Sequence, residues 1–347
     1  IMAYSIDAKD YFKSKLYTGN GSNSHAITGV GFEPSFVWIK DRTNSYDHCA
    51  FDQPRGVSQR IYPNNAQAQS TDNDNLVSFD SDGFTVDDNG ITNANSNNFV
   101  SWNWKANGQG SSNTAGSINT TYTSVDASSG VSISTYTGNG SAGATIGHGL
   151  GVVPKVMLVK RLNASGQWDM YHSGLSDPKS GSIVLNSDAN FASDSSIWNN
   201  TDPTNSLVTL GTSSTTNTNG GTYVIYCFAQ KSGFSNFGSY SGNSSGSNGA
   251  FIYTGFKPSL IIGKYIGANY DWWMLDTARN PSNVANLKLY PNTSAGDATG
   301  VVLDMYSNGF KMYDGNQQFG QNGSSYIYLA WAAAPLVGTN DIPANAK

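Results

Sequence analysis

The sequence predicts an all-β protein made of three tandem, jelly-roll-like β-sandwich repeats of about 100 residues each. Composition and internal repetition predict this fold class. Only 12% of the 347 residues are charged, 12% are aromatic and 38 are glycine. Gly, Asn, Ser and Thr favour turns and strands, and the many aromatic residues indicate packed cores. The composition therefore excludes coiled coils, helical bundles and doubly wound α/β folds.

Internal repetition supplies the second observation, because the same landmarks recur in the same order three times. A Tyr-Thr/Ser-Gly-Asn turn is followed by a Gly-x-x-Pro entry into an apolar strand, and each copy closes on an aromatic strand. Recurrence of this kind predicts tandem structural units. The landmarks occupy residues 17–21, 136–140 and 240–244, then 31–40, 151–160 and 255–264, and finally 99–105, 223–229 and 326–332.

Each copy reads as short strands separated by clusters of Gly, Asn, Asp and Ser. Residues 78–86 and 305–312 predict hairpins, with Asp82-Gly83 and Asn308-Gly309 at their turns. Residues 109–130 are rich in Gly, Ser and Thr, which is typical of a linker. The predicted segments are a leader at 1–16, repeat 1 at 17–108, a linker at 109–130, repeat 2 at 131–232, repeat 3 at 233–335 and a tail at 336–347.

Charge and cysteine content restrict the classes of partner. The net charge is −5 and no stripe of Lys or Arg forms a phosphate-binding face, so we expect no nucleic-acid partner. No apolar run reaches the ~18 residues that span a bilayer, so we expect no membrane insertion. Cys49 and Cys227 fall at non-equivalent repeat positions and are predicted to be free thiols, formed in a reducing cytoplasm.

No motif in the sequence predicts catalysis, a metal site or a cofactor. The four histidines are scattered, and no nucleophile is paired with a base at a recognisable spacing. Acidic pairs at 72–74 and 80–82 are interpreted as turns within hairpins, with a Ca²⁺ loop as the alternative. We therefore predict that the protein is not an enzyme and that it holds no cofactor.

Two Asp–Arg pairs occupy equivalent repeat positions. Asp52 lies three residues before Arg55, and Asp276 lies three residues before Arg279, whereas the remaining copy has His172 at this position. A glycosidase needs two carboxylates flanking one sugar ring, which is the catalytic alternative. Because the pair recurs in separate modules, the sequence favours two internal structural ion pairs.

Residues that differ between copies are the candidates for recognition, because loops on a shared scaffold carry specificity. Trp198 lies in a polar loop, and Trp273 is opposite in strand phase to Trp272, which predicts an outward-facing ring. The alternative for Trp198 is burial beneath its own loop. The predicted receptor-binding or glycan-binding residues are Trp198, Asn199, Asn200, Tyr265 and Trp273.

Several ordered motifs resemble a repeat module of tail-fibre-like virion proteins from marine tailed bacteriophages, which infect cyanobacteria and other marine bacteria. The resemblance covers nearly the whole chain, from about residue 11 to residue 335. The motifs that carry it are residues 29–42, 51–56, 78–84, 102–106, 147–154, 198–203, 226–229 and 276–279.

The resemblance implies a virion structural protein that is made in the host cytoplasm. The favoured expectation is a fibre or appendage that contacts the host cell surface, with a surface glycan as the receptor. Its expected partners are other virion proteins and further copies of itself, most simply in a trimer. The alternatives are a capsid decoration or head-fibre protein with a structural role, and a glycan depolymerase.

Overall fold

Strands dominate the computed structural model of the chain, which describes residues 7–245 and 248–333. Every pair of named strands is antiparallel, and the all-β prediction is confirmed. The predicted tail at 336–347 and the first six residues of the predicted leader lie outside the described residues. Across residues 7–245 and 248–333 the helices are short: two α-helices, α1 (Gly90–Asn93) and α2 (Ser195–Trp198), and two 3₁₀ turns, Ala8–Asp10 and Pro178–Ser180.

The strands fall into three consecutive groups, which we call units 1, 2 and 3. Unit 1 contains β1 (Phe12–Thr18), β2 (His25–Thr28), β3 (Phe36–Asp41), β4 (Cys49–Asp52), β5 (Gln59–Arg60), β6 (Ser70–Thr71), β7 (Leu76–Asp80), β8 (Gly83–Val86) and β9 (Asn98–Trp104). Unit 2 contains β10 (Tyr122–Asp126), β11 (Val131–Thr137), β12 (Ala144–Gly147), β13 (Val156–Arg161), β14 (Trp168–His172), β15 (Gly181–Val184), β16 (Ala192–Ser193), β17 (Leu207–Leu210) and β18 (Thr222–Phe228). Unit 3 contains β19 (Ser235–Ser241), β20 (Phe251–Tyr253), β21 (Leu260–Tyr265), β22 (Trp273–Asp276), β23 (Ala285–Lys288), β24 (Ala298–Tyr306), β25 (Gly309–Met312) and β26 (Ser325–Trp331).

The same strand order occurs in one sheet of each unit, which we call the large sheet. The orders are β1-β9-β3-β4 in unit 1, β11-β18-β13-β14 within a seven-stranded sheet in unit 2, and β19-β26-β21-β22 in unit 3. The registers correspond as well. The list of equivalent cross-strand pairs is Phe36 with Trp104, Val156 with Phe228, and Leu260 with Trp331.

A second sheet, which we call the small sheet, covers one face of each large sheet and so forms a sandwich, although in unit 3 both sheets have four strands. The small sheets are β2-β8-β7 in unit 1, β12-β17 in unit 2 and β20-β25-β24-β23 in unit 3. Buried residues such as Val37, Ile39 and Phe84 fill the space between the two sheets of unit 1. Removal of this apolar area from water is the main stabilising contribution to each sandwich.

The tyrosine of the repeated Tyr-Thr/Ser-Gly-Asn landmark has the same role in all three units. Each ring stacks on an aromatic residue of the unit's last long strand, at a centroid distance of 4.8–5.2 Å. Each hydroxyl donates a 2.7 Å hydrogen bond to a carbonyl of the loop that precedes that strand. The pairs are Tyr17 with Phe99 and the Thr92 carbonyl, Tyr136 with Tyr223 and the Thr216 carbonyl, and Tyr240 with Tyr326 and the Phe319 carbonyl.

The second face of each large sheet is buried against the other two units. Near the middle, Trp331 of unit 3 lies 5.4 Å from Trp104 of unit 1 and 5.4 Å from Phe228 of unit 2, measured between ring centroids. The apolar cavity at this centre measures only about 30 Å³. The three large sheets therefore enclose one shared core, and each of them is covered on both faces.

Two predicted boundaries need correction. The predicted linker at 109–130 contains β10, which pairs along its length with β11 and forms an edge of the unit 2 sheet. The predicted leader at 1–16 contains most of β1, which pairs with β9 from Phe12 onward. The 109–130 segment has few apolar residues, but its backbone groups, like those of β1, complete a sheet ladder, which composition alone does not reveal.

Cys49 and Cys227 are free thiols, as predicted. Both are buried, and burial raises the pKa of Cys49 to about 12. Within residues 7–245 and 248–333, no helix is long and apolar enough to cross a membrane.

Candidate functional site

A ring of polar contacts joins the three units around the shared core. In each contact, the last long strand of one unit meets the end of the fourth large-sheet strand of another. The contacts link unit 1 to unit 3, unit 2 to unit 1, and unit 3 to unit 2, so they run in one direction around the core. They are Trp102 Nε1 to Asp276 Oδ2 at 3.1 Å, Tyr226 hydroxyl to Asp52 Oδ2 at 2.5 Å, and His172 Nε2 to the Tyr328 carbonyl at 3.1 Å.

Two further contacts between units run in the same direction around the core. Trp168 Nε1 of unit 2 donates to the Tyr62 carbonyl of unit 1 at 2.8 Å, and Trp272 Nε1 of unit 3 donates to the Val184 carbonyl of unit 2 at 2.9 Å. Both indoles occupy repeat-equivalent positions, so the same indole-to-carbonyl hydrogen bond connects two pairs of units. These tryptophans belong to the core, as their shared position predicts.

Both predicted ion pairs are present and are structural. Arg55 Nε lies 2.6 Å from Asp52 Oδ2, and Arg279 Nε lies 2.7 Å from Asp276 Oδ2, with all four side chains at most 2% exposed. Each aspartate also accepts an inter-unit hydrogen bond that belongs to the ring of polar contacts. The carboxylates are therefore used in holding the units together.

His172 replaces the aspartate in unit 2, and its hydrogen bonds define a neutral imidazole. Its Nδ1 accepts from the Gly174 backbone N–H at 3.0 Å, so the ring proton is on Nε2, which donates to the Tyr328 carbonyl. Burial lowers the pKa of His172 to about 4. A neutral histidine and an Asp–Arg pair thus serve the same junction.

A buried lysine is the next-to-last residue of the third large-sheet strand in each unit. Lys160 Nζ donates to the Ala66 carbonyl of unit 1 at 3.0 Å, and Lys264 Nζ donates to the Asp188 carbonyl of unit 2 at 2.9 Å. Burial lowers the pKa of each to about 8. These amines connect the units through carbonyls, without a carboxylate partner at either contact.

The predicted exposure of Trp198 and Trp273 is wrong. Both rings are fully buried at 0% exposure. Trp198 ends helix α2 and packs at right angles to Tyr171, with 6.3 Å between centroids, which is the burial alternative. Neither indole offers a face for a ligand.

Trp273 was misplaced because the large sheet has no solvent face. Trp272 points to the shared core, and Trp273, with the opposite strand phase, points into the unit 3 sandwich against Phe319. Gly263, the cross-strand partner of Trp273, leaves room for the indole: a Cβ at Gly263 would lie 2.1 Å from Trp273 Cζ2. A glycine in the middle of an apolar strand was the sequence signal for a large inward side chain opposite it.

The remaining predicted recognition residues do not form one site. Asn199 and Asn200 are exposed in unit 2, with φ of 53° and 50°, and they end helix α2 in the left-handed conformation. Tyr265 of unit 3 is buried and packs on Tyr326 with 5.2 Å between centroids. The asparagines therefore have a backbone role, and Tyr265 is part of the core.

The acidic loops are turns, as interpreted. Asp72 Oδ1 accepts the Asp74 N–H at 3.0 Å. The Asp82 carboxylate accepts the N–H groups of Gly29 and Gly31 at 3.0 and 2.7 Å, and these bonds lower its pKa. Over the described residues, no group of three or more His, Cys, Asp or Glu side chains is arranged to hold a metal ion.

The sequence-based candidates do not include an exposed aromatic surface on the small sheet of unit 3. Phe251 and Tyr253 lie on β20 with 48% and 66% exposure, and Ile252 between them is buried. The Phe251 ring meets Tyr306 of β24 edge-on at 5.9 Å. We define the aromatic surface as Phe251, Tyr253, Tyr306, Tyr313 and the polar residues Asn248, Asp304 and Lys311.

Polar groups surround these rings in a fixed arrangement. Lys311 lies directly across from Phe251 on one side and from Asp304 on the other, so the three form one row over three strands. Lys311 Nζ donates to Asn248 Oδ1 at 3.1 Å and lies 5.5 Å from the centre of the Tyr313 ring. The hydroxyls of Tyr306 and Tyr313 are 3.2 Å apart. The surface thus combines apolar ring faces with hydrogen-bonding groups.

Units 1 and 2 have small residues at the positions of Phe251 and Tyr253. The buried isoleucines Ile27, Ile146 and Ile252 occupy the same register, each opposite the second residue of its partner strand. The residues flanking Ile27 are Ala26 and Thr28, and those flanking Ile146 are Thr145 and Gly147. Comparison of these short segments between copies was the signal that could have identified the aromatic surface.

A family model described as "Domain of unknown function (DUF7483)" matches residues 7–335. No curated protein and no solved structure matches the chain.

Proposed function

We propose that this chain, which belongs to the DUF7483 family of domains of unknown function, is a bacteriophage virion structural protein that contacts the host cell surface as a fibre or appendage. The family description assigns no activity. The proposal is supported by the resemblance of the sequence motifs to tail-fibre-like virion proteins and by the distribution of exposed groups on the molecule.

The aromatic surface of unit 3 is the observation that carries the proposal. Aromatic side chains are enriched at binding surfaces, because their rings offer a large apolar contact area with few rotatable bonds. Phe251 and Tyr253 are exposed where the equivalent residues of the other units are small, so the fold does not require them. Their retention on the surface is best explained by contact with another molecule.

The scaffold suits a binding role in which geometry must be maintained outside a cell. Three units close on one core, and the buried aspartates, lysines and His172 are all used in contacts between or within units. Sites built on packed strands hold their side chains more accurately than sites on loops. We therefore propose binding, rather than catalysis, as the activity of this chain. Its partners on the particle would be other virion proteins and further copies of itself, with a trimer expected from the resemblance.

The test has two measurements. Mass spectrometry and cryo-electron microscopy of particles from the phage that encodes the chain should find it as a projecting structure. The purified chain, added before infection, should compete with particles for adsorption to host cells in a concentration-dependent way, whereas an unrelated acidic β-sandwich protein should not. Absence from particles would refute the proposal. Presence on the capsid without competition would instead support the decoration alternative.

A further inference from the structure

We propose that the aromatic surface of unit 3 is a saccharide-binding site that recognises a bacterial surface polysaccharide. The inference rests on the proposed function, because it names the ligand of a chain that contacts host cells. It is argued from the arrangement of the rings, the polar groups beside them and the size of the surface.

The rings form a preorganised apolar platform. Phe251 and Tyr253 are two residues apart on β20, so both side chains stand on the same side of the small sheet. Phe251 is held edge-on by Tyr306, and its ring covers Gly309: a Cβ at Gly309 would lie 3.0 Å from Phe251 Cζ. Since packing already restricts Phe251, little rotamer entropy remains to be lost on binding.

The polar groups beside the platform match the hydroxyls of a sugar. Lys311 offers an ammonium group, and Tyr306 and Tyr313 offer hydroxyls that both donate and accept, while the Asp304 carboxylate orients the Tyr306 hydroxyl. The Tyr306 hydroxyl lies 3.3 Å from Asp304 Oδ2, and Lys311 is positioned by Asn248. A pyranose has an apolar C–H face and a rim of hydroxyls, so it needs this combination of aromatic ring and hydrogen-bonding edge.

The extent of the surface favours a saccharide over a folded protein. Strands β20, β25 and β24 lie about 4.8 Å apart and the exposed part of β20 is three residues long, so the platform measures about 10 Å by 7 Å. A specific protein interface buries about 800 Å² of accessible surface on each partner, several times what the exposed parts of two aromatic rings provide. A purely apolar ligand would remove the Lys311 ammonium group from water without supplying a hydrogen-bond acceptor in return.

The experiment measures binding of the purified full chain to immobilised bacterial lipopolysaccharides and capsular polysaccharides, with periodate-oxidised samples of each as blanks. The variant is Phe251→Ala/Tyr253→Ala, and the matched control is Tyr46→Ala, which removes a 44% exposed tyrosine from unit 1. We expect the double substitution to weaken binding about ten-fold or more, since two stacking contacts are lost. Tyr46→Ala should bind as the unmodified chain does.

Lys311→Gln provides a second variant that keeps both rings. Loss of one charged donor should weaken binding about three-fold to ten-fold. Circular dichroism and the midpoint of thermal unfolding establish that each variant is folded, which is expected because all substituted side chains are at least partly exposed.

The outcomes separate the two proposals. Saccharide binding that is lost in Phe251→Ala/Tyr253→Ala and kept in Tyr46→Ala supports the site. Equal binding by the double variant, or binding of the unmodified chain to none of the polysaccharides, overturns it. Cell adsorption that persists in the double variant overturns the saccharide site but leaves host contact in place through another surface. Absence of the chain from particles refutes the proposed function, whatever the polysaccharide result.

Discussion

Replacing Arg279 by Met should destabilise the fold strongly, because it leaves a buried carboxylate without its cation. Arg279 is fully buried and donates to Asp276 Oδ2 at 2.7 Å, to Asp297 Oδ1 at 3.1 Å and to the Met274 carbonyl at 3.2 Å. In Arg279→Met, the Asp276 carboxylate keeps only the Trp102 indole and one backbone N–H as partners. Breaking a buried pair in this way costs about 3–5 kcal/mol.

Urea unfolding, followed by far-ultraviolet circular dichroism and tryptophan fluorescence, measures this loss. With a slope of about 3 kcal/mol per molar urea, a loss of about 4 kcal/mol lowers the midpoint by about 1.3 M. Lys179→Met is the control, because its ion pair with Asp202 is exposed, at 41% and 53% of the two side chains. It should cost about 1 kcal/mol or less.

A double variant tests the cause. Asp276→Asn/Arg279→Met removes both charges but keeps an oxygen that can accept from Trp102 Nε1, so it should be more stable than Arg279→Met alone. A single variant that unfolds within about 0.3 M urea of the unmodified chain, or a double variant less stable than the single one, would refute the reasoning.

Three further predictions follow from the burial of side chains within and between the units. Burial lowers the pKa of His172 to about 4, below its unfolded value, so the unfolded chain takes up the proton first; stability should fall by as much as about 3 kcal/mol between pH 6.5 and pH 4, and His172→Gln should flatten this dependence in urea unfolding. Residues 109–232, which include β10, should alone fail to give a folded spectrum in nuclear magnetic resonance, because the face bearing Trp168 and Phe228 loses its cover; a dispersed spectrum would contradict the shared core. Trp198→Ala should lower the free energy of unfolding by about 3–5 kcal/mol, and a loss below about 1 kcal/mol would place the indole outside the core.

The parts of the fold that depend on local sequence could be predicted. Alternating strands and turn residues identified the all-β class, and three-residue spacing placed Asp52 beside Arg55 and Asp276 beside Arg279. An aspartate and an arginine three residues apart can form an ion pair locally, so the contact can be predicted without the tertiary structure.

Features that depend on packing between units could not be predicted. Strand phase distinguishes two faces, but it does not say whether the second face meets water or another sheet, and Trp273 was therefore assigned to the wrong environment. The converse applies to Phe251 and Tyr253, since an aromatic pair flanking a buried isoleucine looks like core when the sheet position is unknown. Only the position of β20 in the small sheet, with Ile252 facing the sandwich and the two rings on the outer face, shows that its aromatic side chains are exposed.

Covalent continuity between the three units has a consequence for stoichiometry. A core assembled from three separate chains would dissociate on dilution, whereas the shared core of a single chain is insensitive to protein concentration. In a symmetric homotrimer any substitution appears three times, but here each unit can diverge on its own. Unit 3 could thus acquire aromatic residues while units 1 and 2 kept Ala26, Thr28 and Thr145. With one proposed saccharide site per chain, the number of sites in an assembly, and hence its expected avidity, equals the number of chains it contains.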